Sequence, residues 1–505
     1  HLRGRIMATC QQVKIDSNSV SLAYAEEECL GQKPEVSATW TQLEPNSLNM
    51  GSEITTVQRT PFSQGRQNKK GTPTDLSATG NFEMDFTQNN WTDLLQGVLY
   101  ADKRVKATAN STGSTATGFV VAKDGTKFKE NDLILGKGFT NVGLNKVYTV
   151  KAGSTDTEIK VTGLGLLVDS GKVEVIGHRF AAGDLQFTVN SGIYKLVSTA
   201  KNLTELGLVR GEWIFVGGDA EKNRFDNVQP FYGRVARVTT NEITFNEGTF
   251  NSGLLSDAGG TKQIEIYVGS VIKNENSIDL IKRRSYTFER RMGEDLETKQ
   301  KQSDYLHGCV LGEFELSVGQ GEMLKATANF TATEHSFLKG VPVSVGKLIP
   351  SLGESGINTS NDIRSLKLSI KPKYESSSTP LFAYLTELSL KVNNNLSENK
   401  ALGKFGAIDI SAGNIDVTGS VKAYFAKIEA VEAVRNNADV GLSAIFARDN
   451  CGFMFDIPLI GLGGGQIEVE KDQPIMISLE ANGAENEFGH TIMYVNFPYL
   501  PTLAM

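Results

Sequence analysis

Alternation of polar and apolar residues dominates the chain. Clear examples are Asn81–Phe86, Glu313–Val318 and Gln466–Val469. Successive side chains of a β-strand point to opposite faces of the sheet, so this period of two predicts half-buried strands. The pattern therefore favours a mainly β fold.

Helical periodicity is confined to two short segments. The first, Trp91–Tyr100, has apolar residues at the spacing of one helix face, and Asn90 is the expected N-cap. The second runs from about Ala426 to Asn436. Each of these predicted helices directly follows a predicted strand.

The two strand–helix units form an internal repeat. Ser77–Phe86 and Asp416–Phe425 each contain a Thr–Gly pair and end at phenylalanine before the helix. Strand pairs then follow within Gly312–Ala332 and Gly465–Ala484. This order predicts a duplicated fold, and the alternative is that two β-rich domains share common patterns by chance.

Two small β modules interrupt the first copy, each with three short strands. The predicted domains are a discontinuous first domain at 7–100 and 271–350, modules at 101–180 and 181–270, and a second domain at 381–505. Residues 1–6 are expected to be an upstream remnant. Exposed insertions add little loop-closure entropy, so we expect the modules to be dispensable for assembly.

Composition limits the possible functions. The chain has 505 residues, a formal net charge of -7 and a pI of about 5.5. Proteins that bind nucleic acid usually have a basic patch or stripe on their surface, and this sequence has no long basic run. Sequence-specific DNA binding is therefore not expected.

Motifs for catalysis or cofactors are absent from the sequence. The five histidines show no metal-ligand spacing, and Cys10, Cys29, Cys309 and Cys451 are too dispersed for a zinc site, so free thiols are expected. No apolar stretch reaches the roughly 18 residues of a membrane span. We expect no cofactor, metal or catalytic residue, although a carboxylate pair of a glycan hydrolase stays open.

One loop concentrates positive charge. It runs from Arg59 to Gly71 and combines basic residues with one aromatic side chain. It is either a solvated loop or a docking arm for an acidic neighbouring subunit. The candidate docking residues are Arg59, Phe62, Arg66, Lys69 and Lys70.

The chain resembles the tail tube proteins of bacteriophages with long, non-contractile tails. The likeness lies in Thr56–Thr74, in Asp75–Tyr100, in Ser285–Arg290 followed by Leu306–Val310, and in the strand Leu385–Val392. It implies a non-enzymatic virion protein with duplicated tail-tube-like β-sandwiches, each with a flanking helix. Subunits of this family form stacked rings around a DNA channel, and a long loop docks onto the next ring.

The resemblance also implies partners and a location. Most family members carry one such fold and form hexamers, so a duplicated chain should form a ring of three chains with pseudo-sixfold symmetry. We expect contacts with tape measure and tail terminator proteins, assembly in the host cytoplasm, and DNA passing without specific binding. The modules should lie outside the tube. The alternatives are a capsid decoration or fibre protein and a tail-associated glycan hydrolase.

Carboxylates are predicted to line the channel. In the alternating strands, the acidic residues lie opposite the apolar face, which is assigned to the core. In a family-like ring, that opposite face lines the channel. The candidate channel-lining residues are Glu83, Asp85, Glu313, Glu315, Glu468 and Glu470. The alternative is that these carboxylates are ordinary solvated residues or form ion pairs at subunit contacts.

Overall fold

A computed structural model describes residues 14–505 except 36, 63–64, 66, 251–253, 371–378 and 383. Strands predominate in these described residues. The first part contains β1 (Ser21–Glu26), β2 (Trp40–Leu43), β3 (Ser47–Val57), β4 (Thr72–Asp85) and α1 (Thr92–Leu99). The insert follows, with β5 (Thr108–Ser114), β6 (Gly118–Val121), β7 (Asp132–Lys137), β8 (Val147–Thr149), β9 (Glu158–Lys160), β10 (Gly171–Arg179), β11 (Leu185–Asn190), β12 (Ile193–Ser198), β13 (Trp213–Val216), β14 (Phe231–Val238), β15 (Glu242–Gly248) and β16 (Glu265–Tyr267).

The remaining strands return to the main body. The next group is β17 (Ser270–Lys273), β18 (Tyr286–Glu294), β19 (Lys301–Val318), β20 (Lys325–Ala332), β21 (Glu334–Lys339) and β22 (Leu348–Ile349). The last group is β23 (Ile363–Ile370), β24 (Thr379–Pro380), β25 (Leu385–Asn393), β26 (Leu396–Lys400), β27 (Ala407–Ala412), β28 (Asp416–Tyr424), α2 (Glu429–Arg435), β29 (Val440–Arg448), β30 (Cys451–Glu468), β31 (Met476–Gly483) and β32 (Met493–Phe497).

The fold is a duplicated β-sandwich with a flanking helix in each copy. The first copy consists of β1–β4, α1 and β18–β21, and the second of β23–β25, β28–β32 and α2. In each copy one 18-residue strand, β19 or β30, runs through both layers. Its first half pairs with β18 and β21, or β29 and β32, and its second half pairs with β20 or β31. The copies therefore share one pairing scheme.

The sequence periodicity explains the core. Buried and partly exposed residues alternate along β20 without a break, as expected for a strand between a core and a polar face. Helix α1 buries its apolar stripe, including Leu94 and Val98. The first helix is one residue shorter at each end than predicted, and its N-cap is Trp91. Asn90 instead braces the preceding turn, because its side chain accepts from the Thr87 amide and donates to the Asp85 carbonyl.

Eight strands form a continuous sheet across both copies, in the order β3, β4, β20, β19, β25, β28, β31 and β30. The copies meet where β19 pairs with β25. We call this the eight-stranded sheet, and the β19–β25 contact the internal junction. One face of the sheet packs on the principal core.

The insert forms a 12-stranded sheet. β16 pairs with both β10 and β13, so segments from both predicted modules join in this sheet. Each part also has an apolar cluster of its own, one around Phe187 and Phe231 and the other around Phe119 and Tyr148. The domain boundaries drawn from the sequence stay a prediction.

A buried ion pair fastens the insert to the second copy. Nη1 of Arg234 lies 3.0 Å from both carboxylate oxygens of Asp456, and both side chains are 1% exposed. Burial raises the pKa of Asp456, and the charge of Arg234 opposes that rise. The insert residues Trp213 and Phe215 also share an apolar cluster with Met454 of the second copy. Removing the insert would uncover this face, which argues against the expectation that the modules are dispensable.

We predict that Arg234→Met destabilises the protein by about 3–5 kcal/mol, because it leaves the Asp456 carboxyl buried without its partner. Urea denaturation followed by tryptophan fluorescence measures the loss. Arg237→Met, at an exposed position of the same strand, is the matched control. Equal denaturation midpoints for the two variants would contradict the assigned role of the ion pair.

Candidate assembly surfaces

The eight-stranded sheet ends in two open edges. In the described part of the chain, β3 forms ladder pairs only with β4, and the second half of β30 pairs only with β31. An open strand edge presents unpaired N–H and C=O groups that can pair with another chain. The sheet can therefore be extended at both sides.

The internal junction shows how such an edge is covered. Leu316 of β19 lies opposite Leu390 of β25, and Val318 lies opposite Leu388. All four side chains are at most 5% exposed. Pairing and apolar burial therefore occur together where the two copies meet.

The second copy repeats this edge without a partner. The two copies can be aligned on their repeated Thr–Gly pairs, Thr79–Gly80 and Thr418–Gly419, and then strand by strand through the ladder partners. In this alignment Leu316 corresponds to Ile467, and Met50 corresponds to Leu390. Leu316 is 0% exposed, whereas Ile467 is 40% exposed. Val318 is 5% exposed, whereas Val469, two residues beyond Ile467, is 71% exposed. The sequence pattern assigned both apolar residues to the core, and the structure leaves them uncovered at the edge.

The polar face of the eight-stranded sheet carries most of the candidate channel residues. Glu83, Asp85, Glu313 and Glu315 are partly exposed on strands whose alternate residues are buried. Glu468 is partly exposed on the uncovered second half of β30, beside the exposed Ile467. Glu470 is exposed and follows the end of β30. The shared strand pairing thus brings the first five onto a single sheet.

Lysines moderate the negative charge of this face. Lys391 lies 3.1 Å from Glu313, Lys422 lies 3.2 Å from Glu468, and Lys325 lies 3.8 Å from Glu83. The Ser478 hydroxyl and the Lys422 ammonium hold the pKa of Glu468 below its ordinary value, which keeps it ionised. The acidic pattern in the sequence did not reveal these cross-strand cations.

The basic loop is the end of a projecting arm. β20 pairs with β4 only over Ala78–Asp85, so the earlier part of β4 continues beyond it with β3 as a two-stranded ribbon. Arg59, Phe62, Lys69 and Lys70 are exposed at its end. Arg66 lies outside the described residues. We call residues 53–76 the arm.

A second hairpin, β26–β27, lies beside the arm. Lys400 forms an ion pair with Asp75 at 2.5 Å, and the Ser77 hydroxyl donates to Glu398 at 2.6 Å. At its base, the buried Asn394 amide donates to the carbonyls of Val98 and Leu311. The sequence pattern predicted no hairpin at this position. The feature of the sequence that could have indicated a contact surface here is the set of apolar residues Leu402, Phe405 and Ile408 among glycines and lysines.

A chain of polar side chains superficially resembles a hydrolase triad. The Ser52 hydroxyl lies 2.8 Å from Nδ1 of His335, whose Nε2 lies 3.2 Å from Asp304. Arg290, however, donates to both oxygens of Asp304 and neutralises it. Ser52 itself lies within the β3–β4 ladder. The arrangement therefore braces the base of the arm against β19 and β21.

Within the described ranges, no group of three or more His, Cys, Asp or Glu side chains is placed to hold a metal. The helices of the described segments are too short or too polar to cross a bilayer. Burial lowers the pKa of His307 to about 4 and that of His490 to about 3, so both are neutral at neutral pH.

The fold and its open edges define a mainly β protein whose central sheet can be extended. A family model described as "Phage tail tube protein" matches residues 17–483. The chain therefore belongs to the phage tail tube protein family, which confirms the resemblance found in the sequence and places it in the virion tail. This family is structural and in general non-enzymatic, which favours a tube protein over a fibre protein or a hydrolase. No curated protein matches the sequence significantly.

The two equivalent edge positions make a matched pair of mutations. We predict that Leu316→Ala destabilises the single chain by about 2–5 kcal/mol, because it opens a cavity in a buried junction. Ile467→Ala should cost the single chain about 1 kcal/mol, since its side chain is already partly solvated, and should instead weaken association. Chemical denaturation and sedimentation velocity measure the two effects, and equal losses of single-chain stability would contradict the correspondence.

Proposed function

We propose that the chain polymerises into stacked rings that form the tail tube, a conduit for DNA ejection. The open edges of the eight-stranded sheet carry this proposal. Uncovered strand edges invite uncontrolled pairing, and closure into a ring removes them. Membership of the tail tube family supports the same function.

The internal junction supplies a template for ring closure. The edge of β30 in one chain pairs with the edge of β3 in the next, in the register of β19 and β25. Ile467 then lies opposite Met50, and Glu468 lies opposite Asn49. Full burial of an apolar side chain of this size stabilises by about 1.5–3 kcal/mol, so covering Ile467 and Val469 favours closure.

Three chains complete the ring. Each chain supplies two copies, so three chains give the six folds of a hexameric family ring. The same type of strand contact then occurs within and between chains, which gives pseudo-sixfold symmetry.

Cysteine pairs test this register. We predict that oxidising assembled Asn49→Cys/Glu468→Cys protein yields interchain disulfides and a ladder on non-reducing gels that ends at three chains. Ser317→Cys/Ser389→Cys is the matched control, because this pair occupies the equivalent position of the internal junction and should close within one chain.

Oxidised wild-type protein, with its four native cysteines, sets the background for this experiment. Assembled protein that gives no interchain bond would refute the register. A ladder that continues to six chains would refute the three-chain ring.

The polar face of the sheet forms the channel wall. Its carboxylates outnumber the nearby Lys325, Lys391 and Lys422, so the wall repels phosphates. DNA then slides without the counterion release that would hold it to a basic surface.

A three-dimensional reconstruction of the tube tests the channel assignment. We expect Glu83, Asp85, Glu313, Glu315 and Glu468 on the inner wall, with the insert outside. Finding the carboxylates on the outer surface would overturn the assignment, whatever the number of chains in the ring.

Other assembly contacts follow from this role. The arm, with Arg59, Phe62, Arg66, Lys69 and Lys70, docks onto the neighbouring ring. Tape measure and tail terminator proteins contact the tube, which is assembled in the host cytoplasm. DNA passes through it without sequence-specific binding.

A further inference from the structure

The two copies present chemically different hairpins at one end of the eight-stranded sheet. The arm of the first copy is basic, with Arg59, Lys69 and Lys70 exposed. The tip of β26–β27 in the second copy is mainly apolar, and Lys404 is the one exposed charged residue between 401 and 408. Leu402 is fully exposed, and Phe405 and Ile408 are each 50% exposed. The inner side of this hairpin packs on the first copy, as its ion pair with Asp75 shows, so the tip remains free for another contact.

The opposite end of the sheet differs between the copies in a matching way. In the second copy it exposes an apolar patch, which we call the apolar end. It consists of Tyr384, Tyr424, Ile428 and Ile475. These residues lie near the start of β25, the end of β28, the start of α2 and the start of β31. β25, β28 and β31 are neighbours in the sheet, so these exposed apolar residues lie close together, and contiguous exposed apolar surface marks interaction sites.

The same end of the first copy is acidic. Tyr424 corresponds to Asp85, five residues beyond the repeated Thr–Gly pair. Asp85 lines a pocket of 340 Å³ together with three other carboxylates, those of Glu44, Asp93 and Glu354. The counterpart of Ile475 is Leu324, which is buried, and its amide donates to the Ile357 carbonyl. The first copy therefore has a basic hairpin and an acidic end, and the second copy has an apolar hairpin and an apolar end.

We propose that the β26–β27 tip docks on the apolar end of the second copy in the adjacent ring of the same protein, while the arm docks on the acidic end of the first copy. This inference rests on the proposed rings. The arm and the β26–β27 hairpin are separated by one copy around the ring, and the acidic and apolar ends are separated by the same step. A single rotation of one ring relative to the next therefore allows both contacts to form. A rotation shifted by one copy would place basic arms on apolar ends. Alternating contact chemistry thus fixes the polarity and rotational register of stacking.

Photocrosslinking in the full-length chain tests the partner surface. Benzoylphenylalanine at Leu402 should crosslink, in assembled tubes, to peptides that contain Tyr384, Tyr424–Ile428 or Ile475. The same probe at Phe62 should crosslink near Glu44, Asp93 or Glu354. The control position is Leu255, an exposed insert residue that should give no crosslink to either end.

Charge substitutions test the contribution to stacking. Leu402→Asp/Phe405→Asp should leave rings intact and lower tube formation at least tenfold, whereas Leu255→Asp should not. Raising the salt concentration should weaken the arm contact by screening and leave the apolar contact intact. The alanine variant of Arg59, Lys69 and Lys70 should therefore form tubes with less salt dependence than wild type.

The outcomes separate this inference from the proposed function. Wild-type protein that forms neither rings nor tubes would overturn both. Tubes in which Leu402 crosslinks to the acidic end, or to no other chain, would overturn only the stacking register. Normal tubes from Leu402→Asp/Phe405→Asp would do the same.

Discussion

The organisation of the molecule depends on the pairing of β19 with β25. This junction satisfies the backbone groups of two strand edges and buries Leu316 and Val318 against Leu390 and Leu388. It converts two similar sandwiches into one sheet with a continuous polar face. Because the sheet is made of repeated units, its two free edges correspond to the two strands of this junction. In the proposed ring, the same type of strand contact joins neighbouring chains.

The insert adds a second constraint. Its contact with the second copy combines the buried Arg234–Asp456 pair with an apolar cluster. A buried ion pair tolerates little misplacement, since each charge depends on the other for compensation. The insert is consequently a fixed part of the second copy, although it interrupts the sequence of the first. Sequence proximity and structural attachment therefore differ in this protein.

Duplication also allows the copies to diverge while the shared fold is kept. Replacement of a carboxylate by an aromatic residue, as between Asp85 and Tyr424, changes the chemistry of one end without disturbing the ladder. The hairpins differ in the same manner. A symmetric ring of identical folds has no such distinction, whereas a duplicated chain can use different contacts at alternate positions.

The sequence by itself determined the β class and the repeated strand–helix order. These two features arise from local periodicity, and the alternation in Glu313–Val318 is visible without any knowledge of its neighbours. The family came from the resemblance of particular segments to known tail tube proteins. The family match confirmed the resemblance, and the positions of the two helices were predicted to within a few residues.

Only the tertiary structure decided which equivalent residues are covered. Leu316 and Ile467 have the same alternating pattern, yet one is buried and the other is exposed, because burial depends on whether another strand lies alongside. The cations beside Glu313 and Glu468 come from neighbouring strands that are distant in sequence. The partner of Asp456 lies 222 residues away in the insert. Such contacts between distant segments leave no periodic signal in a single sequence, and they determine the surfaces available for assembly.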